Sequence, residues 1–147
     1  MKKILIVCCL LLIATSLFAV ELKPYKYGYP SEFHMVDENE TETVLGEPLK
    51  SGYISRARSF ILFNLNNNYS ELVLTFGVTD NYTTSSPSRI DFYVDGDKVK
   101  SVSVNAESMP EEITIPLNYK RQLKIYTEYY DNWTHDAAVV LTNLDFR

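Results

Sequence analysis

Large hydrophobic residues occupy every second position of Leu72-Val73-Leu74-Thr75-Phe76-Gly77-Val78. Successive side chains of a β-strand point to opposite faces of a sheet, so the four large apolar side chains at the even-numbered positions would share one face. The pattern therefore predicts a strand that is buried on one side.

The alternation returns on both sides of this strand. Asp95-Gly96 predicts a tight hairpin turn, because glycine accepts the positive φ that such a turn requires. The further predicted strands are Ile61–Leu65, Ile90–Val94, Val99–Val104, Ile113–Leu117, Leu123–Thr127 and Ala137–Phe146. About seven or eight short strands without a convincing helix predict an all-β sandwich or barrel.

The first residues have the pattern of a secretory signal peptide. Lys2 and Lys3 precede the apolar run Ile4–Ile13, and small residues follow it. We expect cleavage after Ala19, with Ser16 as the alternative. The predicted organisation is a signal peptide at 1–19, an N-terminal loop and edge-strand segment of the same domain at 20–50, and the sandwich at 51–147. The mature protein would be secreted or periplasmic, without a membrane span.

Charge and cysteine content exclude several classes of protein. Of 147 residues, 14 are basic and 19 acidic, and removal of Lys2 and Lys3 would leave a formal charge of about −7. An acidic domain is a poor nucleic-acid binder, because contacts with phosphate require basic residues. Both cysteines, Cys8 and Cys9, lie in the signal peptide. The mature domain is therefore expected to fold without disulfides or a cysteine-ligated zinc.

An ordered set of motifs resembles one known family. Thr75-Phe76-Gly77-Val78-Thr79-Asp80 is followed by Ile90-Asp91-Phe92-Tyr93-Val94-Asp95-Gly96-Asp97, then by a Leu-x-Ile strand at Leu123 and by the polar run Asp131–Ala138. This order is similar to that of the NPCBM family of carbohydrate-binding modules, over roughly Leu45 to Arg147. The resemblance implies a jelly-roll β-sandwich of about eight strands, galactose-binding-domain-like, with carbohydrate as its partner, either an oligosaccharide or a cell-surface glycan.

The same resemblance points to the last loop as a ligand site. An aromatic face stacks on a pyranose ring, and amide and imidazole groups bind its hydroxyls. The expected contacts are Trp133, Tyr130, Asn132 and His135. The alternative is structural, in which Trp133 closes the end of the sandwich.

A second polar loop, Asp80–Ser88, would meet the last loop at one end of the sandwich. Asn81, Tyr82 and the following Arg89 are its candidate ligand contacts. An ordinary solvated turn explains the same composition.

Calcium is the one cofactor that the residues suggest, as a single structural ion, since its hard oxygen ligands are abundant. The candidate ligands are Glu38 with Glu40 and Glu42, or Asp131 with Asp136, and a solvated charge run is the alternative.

No pair of carboxyl groups or nucleophile motif supports catalysis, so we expect a non-catalytic module. The rival hypothesis is an envelope protein that binds another protein through an edge strand or through Tyr25–Tyr29. A small hydrolase is the weakest of the three.

Overall fold

The computed structural model describes residues 21–29, 32–56, 58–83, 87–129 and 138–147. Every regular element in these residues is a β-strand. The described residues contain no helix that is long and apolar enough to cross a membrane. The strands are β1 (Lys26–Tyr27), β2 (Phe33–Met35), β3 (Thr43–Val44), β4 (Glu47–Pro48), β5 (Tyr53–Ser55), β6 (Ser59–Asn64), β7 (Glu71–Val78), β8 (Ser88–Val94), β9 (Asp97–Val104), β10 (Glu111–Pro116), β11 (Gln122–Glu128) and β12 (Val139–Phe146).

Ten of these strands form two five-stranded sheets. Sheet A has the order β1-β6-β11-β8-β9, and sheet B has the order β10-β7-β12-β5-β2. Neighbouring strands are antiparallel throughout, and β3 and β4 form a separate two-stranded hairpin. The predicted all-β jelly-roll sandwich is confirmed.

The main hydrophobic core fills the space between the two sheets. Sheet A contributes the fully buried Phe63, Phe92 and Ile125, and sheet B contributes Leu74 and Ile115. Burial of each such side chain stabilises the fold by about 1.5–3 kcal/mol. The alternation that predicts these strands is thus the alternation that builds the core.

A second, smaller cluster lies on the outer face of sheet B. Ile54 of β5 and Val140 of β12 point away from the main core and pack with Val36. Val44 and Leu49, from the β3–β4 hairpin and its exit, cover them. The hairpin therefore covers part of this face of the sandwich.

The turn at Asp95-Gly96 connects β8 and β9 as predicted. Both residues have positive φ, 48° at Asp95 and 92° at Gly96. The Asp95 carboxylate also accepts hydrogen bonds from the backbone N–H groups of Arg121 and Gln122, at 3.1 and 2.9 Å. The motif therefore forms a tight hairpin turn that is also tied to the start of β11.

The structure contains strands that the alternation did not predict. All three residues of β5 are buried, because Tyr53 and Ser55 face the main core while Ile54 faces the second cluster. Continuous burial removes the alternation on which the prediction depends. The strands β1 to β4 have two or three residues each, too few to show a period, and β1 and β2 lie at sheet edges.

Candidate functional site

The predicted last loop joins β11 to β12 at one end of the sandwich. Tyr129 precedes it and Ala138 follows it, and both are described. Its expected ligand contacts lie outside the described residues: Tyr130, Asn132, Trp133 and His135. Their role stays a prediction, but the structure shows how the base of the loop is held.

Tyr129 joins the two strands at this base. Its hydroxyl donates a hydrogen bond to the carbonyl oxygen of Ser55 and accepts one from the backbone N–H of Val139, at 2.9 Å. Burial raises the pKa of the Tyr129 hydroxyl well above its usual range, so the group is neutral and able to donate. The half-buried ring packs against the main core, and its hydroxyl anchors the chain here.

Thr79 holds the other side of the loop base. Its backbone N–H donates to the carbonyl of Ala138, and its Oγ1 accepts from the N–H of Ala138, both at 2.9 Å. Oγ1 also donates to the side-chain oxygen of Asn81, which is exposed, at 2.6 Å. The chain leaving the last loop therefore lies beside the loop that follows β7, and Asn81 is on the surface next to both.

Tyr82 does not lie on that surface. Its ring is 3% exposed and belongs to the main core, and its hydroxyl shares a 2.5 Å hydrogen bond with Ser88. The structure thus places Tyr82 inside the sandwich, where its ring offers no face to a ligand. A polar loop has no hydrophobic period, so its sequence does not indicate which way its one aromatic residue points.

Arg89 lies near the same end, on the outer face of sheet A, and is part of a network of charges. Its guanidinium donates to Asp91, at 3.0 Å, and to Glu128. Glu128 also pairs with Arg58 at 3.1 Å. Arg89 is therefore oriented by two carboxylates, and Glu128 directly precedes Tyr129.

A second charged cluster at this end was not predicted as a unit. Arg56 Nη2 lies 3.0 Å from Glu42 Oε1 and 3.3 Å from Glu40 Oε1, while the other oxygen of Glu40 lies 3.4 Å from His34 Nε2. Burial acts to raise the pKa of Glu40, but the hydrogen bond from His34 and the charge of Arg56 outweigh it and lower the pKa. The carboxylates of Glu40 and Glu42 are thus paired with Arg56. Arg56 directly follows Ser55, whose carbonyl accepts the hydrogen bond from Tyr129.

Asp80 has a structural role in the loop after β7. Its two carboxylate oxygens accept hydrogen bonds from the backbone N–H groups of Leu45 and Gly46, at 2.7 and 2.8 Å. The side-chain hydrogen bond with Thr43, followed by the one from Gly46, lowers the pKa of Asp80. Asp80 therefore ties the β3–β4 hairpin to this end of the sandwich.

The family model for the NPCBM/NEW2 domain matches residues 20–144. The chain belongs to the NPCBM/NEW2 domain family. The match begins earlier than the motifs of the resemblance, and it includes the strands β1 to β5. A search of curated proteins finds no match.

Solved structures share the fold of this NPCBM/NEW2 domain at low sequence identity. The CBM51 of Clostridium perfringens GH95, in complex with methyl-galactose, has a TM-score of 0.66 and 18% identity, covering 86% of this chain and 96% of that one. CBM51-2 with INT domains of Clostridium perfringens ZmpB has a TM-score of 0.70 and 14% identity, covering 86% of this chain. Its complex with GlcNAc has a TM-score of 0.63 and 15% identity, covering 84% of this chain. The NPCBM/NEW2 domain spans 30% of each of the two ZmpB structures.

In the described part of the NPCBM/NEW2 domain, no group of three or more His, Cys, Asp or Glu side chains is placed to hold a metal ion. Of the predicted calcium ligands, Glu40 and Glu42 bind Arg56, and Glu38 is exposed. Asp131 and Asp136 lie outside the described residues. A structural calcium stays a prediction for this family member.

Proposed function

We propose that this protein is a secreted, non-catalytic carbohydrate-binding module, and that its ligand site lies at the end of the sandwich that bears the last loop. The observation that carries the proposal is the anchored base of that loop. Tyr129 and Thr79 tie both ends of residues 130–137 to β5 and to the loop after β7. A fixed base lowers the entropic cost of binding a ligand there.

The chemistry of the loop suits a sugar. Trp133 supplies a flat ring for the C–H face of a pyranose, while Asn132 and His135 supply donors and acceptors for its hydroxyls. Asn81, exposed beside Ala138, adds a further amide. Family membership and the two sugar complexes of CBM51 neighbours support the same ligand class.

Secretion is part of the proposal because of the N-terminal pattern. Lys2 and Lys3 followed by an apolar run are typical of a signal peptide. A secreted module without its own catalysis would capture glycans at the cell envelope or dock on a polymer.

The rival proposal, a protein-binding sandwich, has one observation in its favour. Tyr25 and Tyr29, which flank the edge strand β1, are 55% and 64% exposed. An exposed edge with large aromatic residues is a surface on which another chain could pair.

A fluorescence titration distinguishes the carbohydrate-binding proposal from the protein-binding one. The chain from Val20 to Arg147 contains every described residue and has one tryptophan, so Trp133 emission reports on the last loop alone. We expect saturable changes with a subset of mono- and oligosaccharides, lost in Trp133→Ala by calorimetry and weakened at least tenfold in His135→Ala.

The matched control is Tyr119→Ala, which removes an exposed aromatic ring at the opposite end of the sandwich. This variant should bind the same sugars unchanged. Repeating the titration with a calcium chelator tests whether sugar binding depends on a bound calcium ion. If no sugar changes the Trp133 fluorescence and the emission is that of a buried ring, the result would contradict the proposal and favour the protein-binding alternative.

A further inference from the structure

The outer face of sheet A carries an unusual combination of aromatic and basic side chains. Lys124 Nζ lies 5.1 Å from the centre of the Phe60 ring, and 5.3 Å from the ring centres of both Tyr93 and Tyr126. Lys98 Nζ lies 5.6 Å from the centre of the Tyr93 ring. One ammonium group is thus surrounded by three rings on three neighbouring strands.

Strand register extends this arrangement into a row across the sheet. Lys26 pairs with Leu62, Leu62 with Lys124, Lys124 with Tyr93, and Tyr93 with Lys98. Paired residues of antiparallel strands share a face. Lys26, Lys124 and Lys98 therefore lie on one line that crosses the five strands of sheet A. We refer to the outward residues Lys26, Phe60, Tyr93, Lys98, Lys124 and Tyr126 as the basic-aromatic face.

The charge of this side of the sheet is opposite to that of the chain. Its outward positions carry five cations, the three lysines with Arg58 and Arg89, against the two carboxylates Asp91 and Glu128. The whole chain has a formal charge of −5. A local positive surface on an acidic protein favours an anionic partner.

Within the described residues, the cations differ in how they are paired. Lys98 lies 3.0 Å from Asp91, and Arg58 and Arg89 bind Glu128. Lys124 instead contacts aromatic rings, and no described carboxylate forms a salt bridge with it. An incoming carboxylate or sulfate can pair with Lys124 without first breaking a salt bridge.

We propose that the basic-aromatic face is a second binding surface, for an acidic polysaccharide whose uronate or sulfate groups pair with Lys26 and Lys124 while its sugar rings contact Tyr93 and Tyr126. Tyrosine rings offer both an apolar face and a hydroxyl to a sugar. The choice of a glycan among anionic polymers rests on the proposed function, whereas the surface is separate from the last loop. It lies on strands, at the middle of sheet A, and not at its end.

The test compares charged and neutral polymers. Dextran sulfate and dextran share a backbone, and polygalacturonate supplies carboxylates in place of sulfates. We expect the chain from Val20 to bind dextran sulfate or polygalacturonate, with an affinity that falls as NaCl increases, and to bind dextran at least tenfold more weakly.

Charge-matched variants locate the surface. The double variant Lys26→Gln, Lys124→Gln removes two cations from the basic-aromatic face, and Lys50→Gln, Lys120→Gln removes two exposed cations elsewhere. We expect the first to weaken polyanion binding by about tenfold or more and the second by less than twofold. Tyr126→Leu, whose urea midpoint checks that it folds, should weaken binding as well.

Three results would overturn the proposal: equal losses in the two double variants, equal binding of dextran and the charged polymers, or no polyanion binding by a folded protein. Duplex DNA that binds as tightly through the same lysines would reassign the surface to polyanions in general. Trp133→Ala should retain polyanion binding. Failure of the loop site and failure of this face are therefore observed separately.

Discussion

A single hydroxyl group, that of Tyr129, connects two strands at the base of the last loop. It contacts the carbonyl of Ser55 at the end of β5 and the N–H of Val139 at the start of β12. Because the surrounding protein desolvates the hydroxyl, water cannot replace these partners at low cost. Tyr129 therefore fixes the base of the proposed site through these two hydrogen bonds.

Tyr129→Phe tests this role. The substitution keeps the ring but removes both hydrogen bonds, so the free energy of unfolding should fall by about 1–3 kcal/mol. Urea denaturation measures it. Tyr119→Phe removes the same atom from a ring that is 61% exposed and should change stability by less than about 0.5 kcal/mol. Equal effects in the two variants would contradict the anchoring role.

Asp91 is the second residue with a measurable signature. Its side chain is 0% exposed although it lies on the outer face of sheet A. Burial acts to raise the pKa of Asp91, but the hydrogen bonds from Ser101, at 2.6 Å, and from two cations hold it below its ordinary value of 3.8. A carboxyl whose pKa is lower in the folded state stabilises the fold above its unfolded pKa.

The stability that Asp91 supplies should therefore be present at neutral pH and be lost as the pH falls below 3.8. We expect Asp91→Asn to be less stable than wild type by about 1–2 kcal/mol at pH 7, with the difference shrinking below pH 4. Urea midpoints between pH 3 and 7 measure this, with exposed Asp97→Asn as the control. A difference that stays constant with pH would show that the carboxylate charge is not the stabilising group.

The β3–β4 hairpin shows how one element depends on a residue far away in sequence. Its turn uses positive φ at Leu45 and Gly46, 53° and 78°, and both N–H groups bind Asp80. The same hairpin covers Ile54 and Val140 on sheet B. Loss of the Asp80 carboxylate should therefore weaken the packing of the hairpin on sheet B as well as its turn.

Amide hydrogen exchange tests this at the level of the element. In Asp80→Ala we expect faster exchange at Leu45 and Gly46 than in wild type, because both amides lose their acceptors. Exchange in β7 and β12 should change little. Asp97→Ala, at the exposed start of β9, is the control. Unchanged exchange at both turn amides would contradict the link.

Elements with one buried face are those that the sequence predicts well. The predicted bounds of β6 to β12 lie within a few residues of the observed ones. In β6, β10 and β11 every second residue is buried in the core, whereas β9 is mostly exposed and is located by the Asp95-Gly96 turn that precedes it. β5 is different, since Ile54 is buried on the opposite side from Tyr53 and Ser55. Local alternation carries no information about a second buried layer supplied by a distant hairpin.

The candidate site is less predictable for a related reason. The cluster of Arg56 with Glu40 and Glu42 joins residues 14 and 16 positions apart, and only the folded chain brings them together. Tyr82 shows the reverse case, a loop aromatic that the structure places in the core. Pairings between distant polar residues leave no periodic signal, whereas a buried strand face does.

At the scale of the whole molecule, the surfaces of the sandwich differ in composition. The β3–β4 hairpin covers part of the outer face of sheet B, while sheet A presents aromatic and basic side chains on its outer face. The end with the anchored loop base carries the proposed sugar site. The proposed sugar site and the proposed surface for acidic polysaccharides therefore lie on separate surfaces of one small domain.

The most direct test of the central proposal is a map of amide chemical shifts in the ¹⁵N-labelled chain from Val20, recorded with a sugar that changes Trp133 fluorescence. We expect the largest shifts in residues 130–137 and at Arg56, Asn81 and Ala138, with little change at Tyr119 or Lys124. Shifts centred on β1 or on sheet A, with the last loop unaffected, would contradict a ligand site at this end of the sandwich.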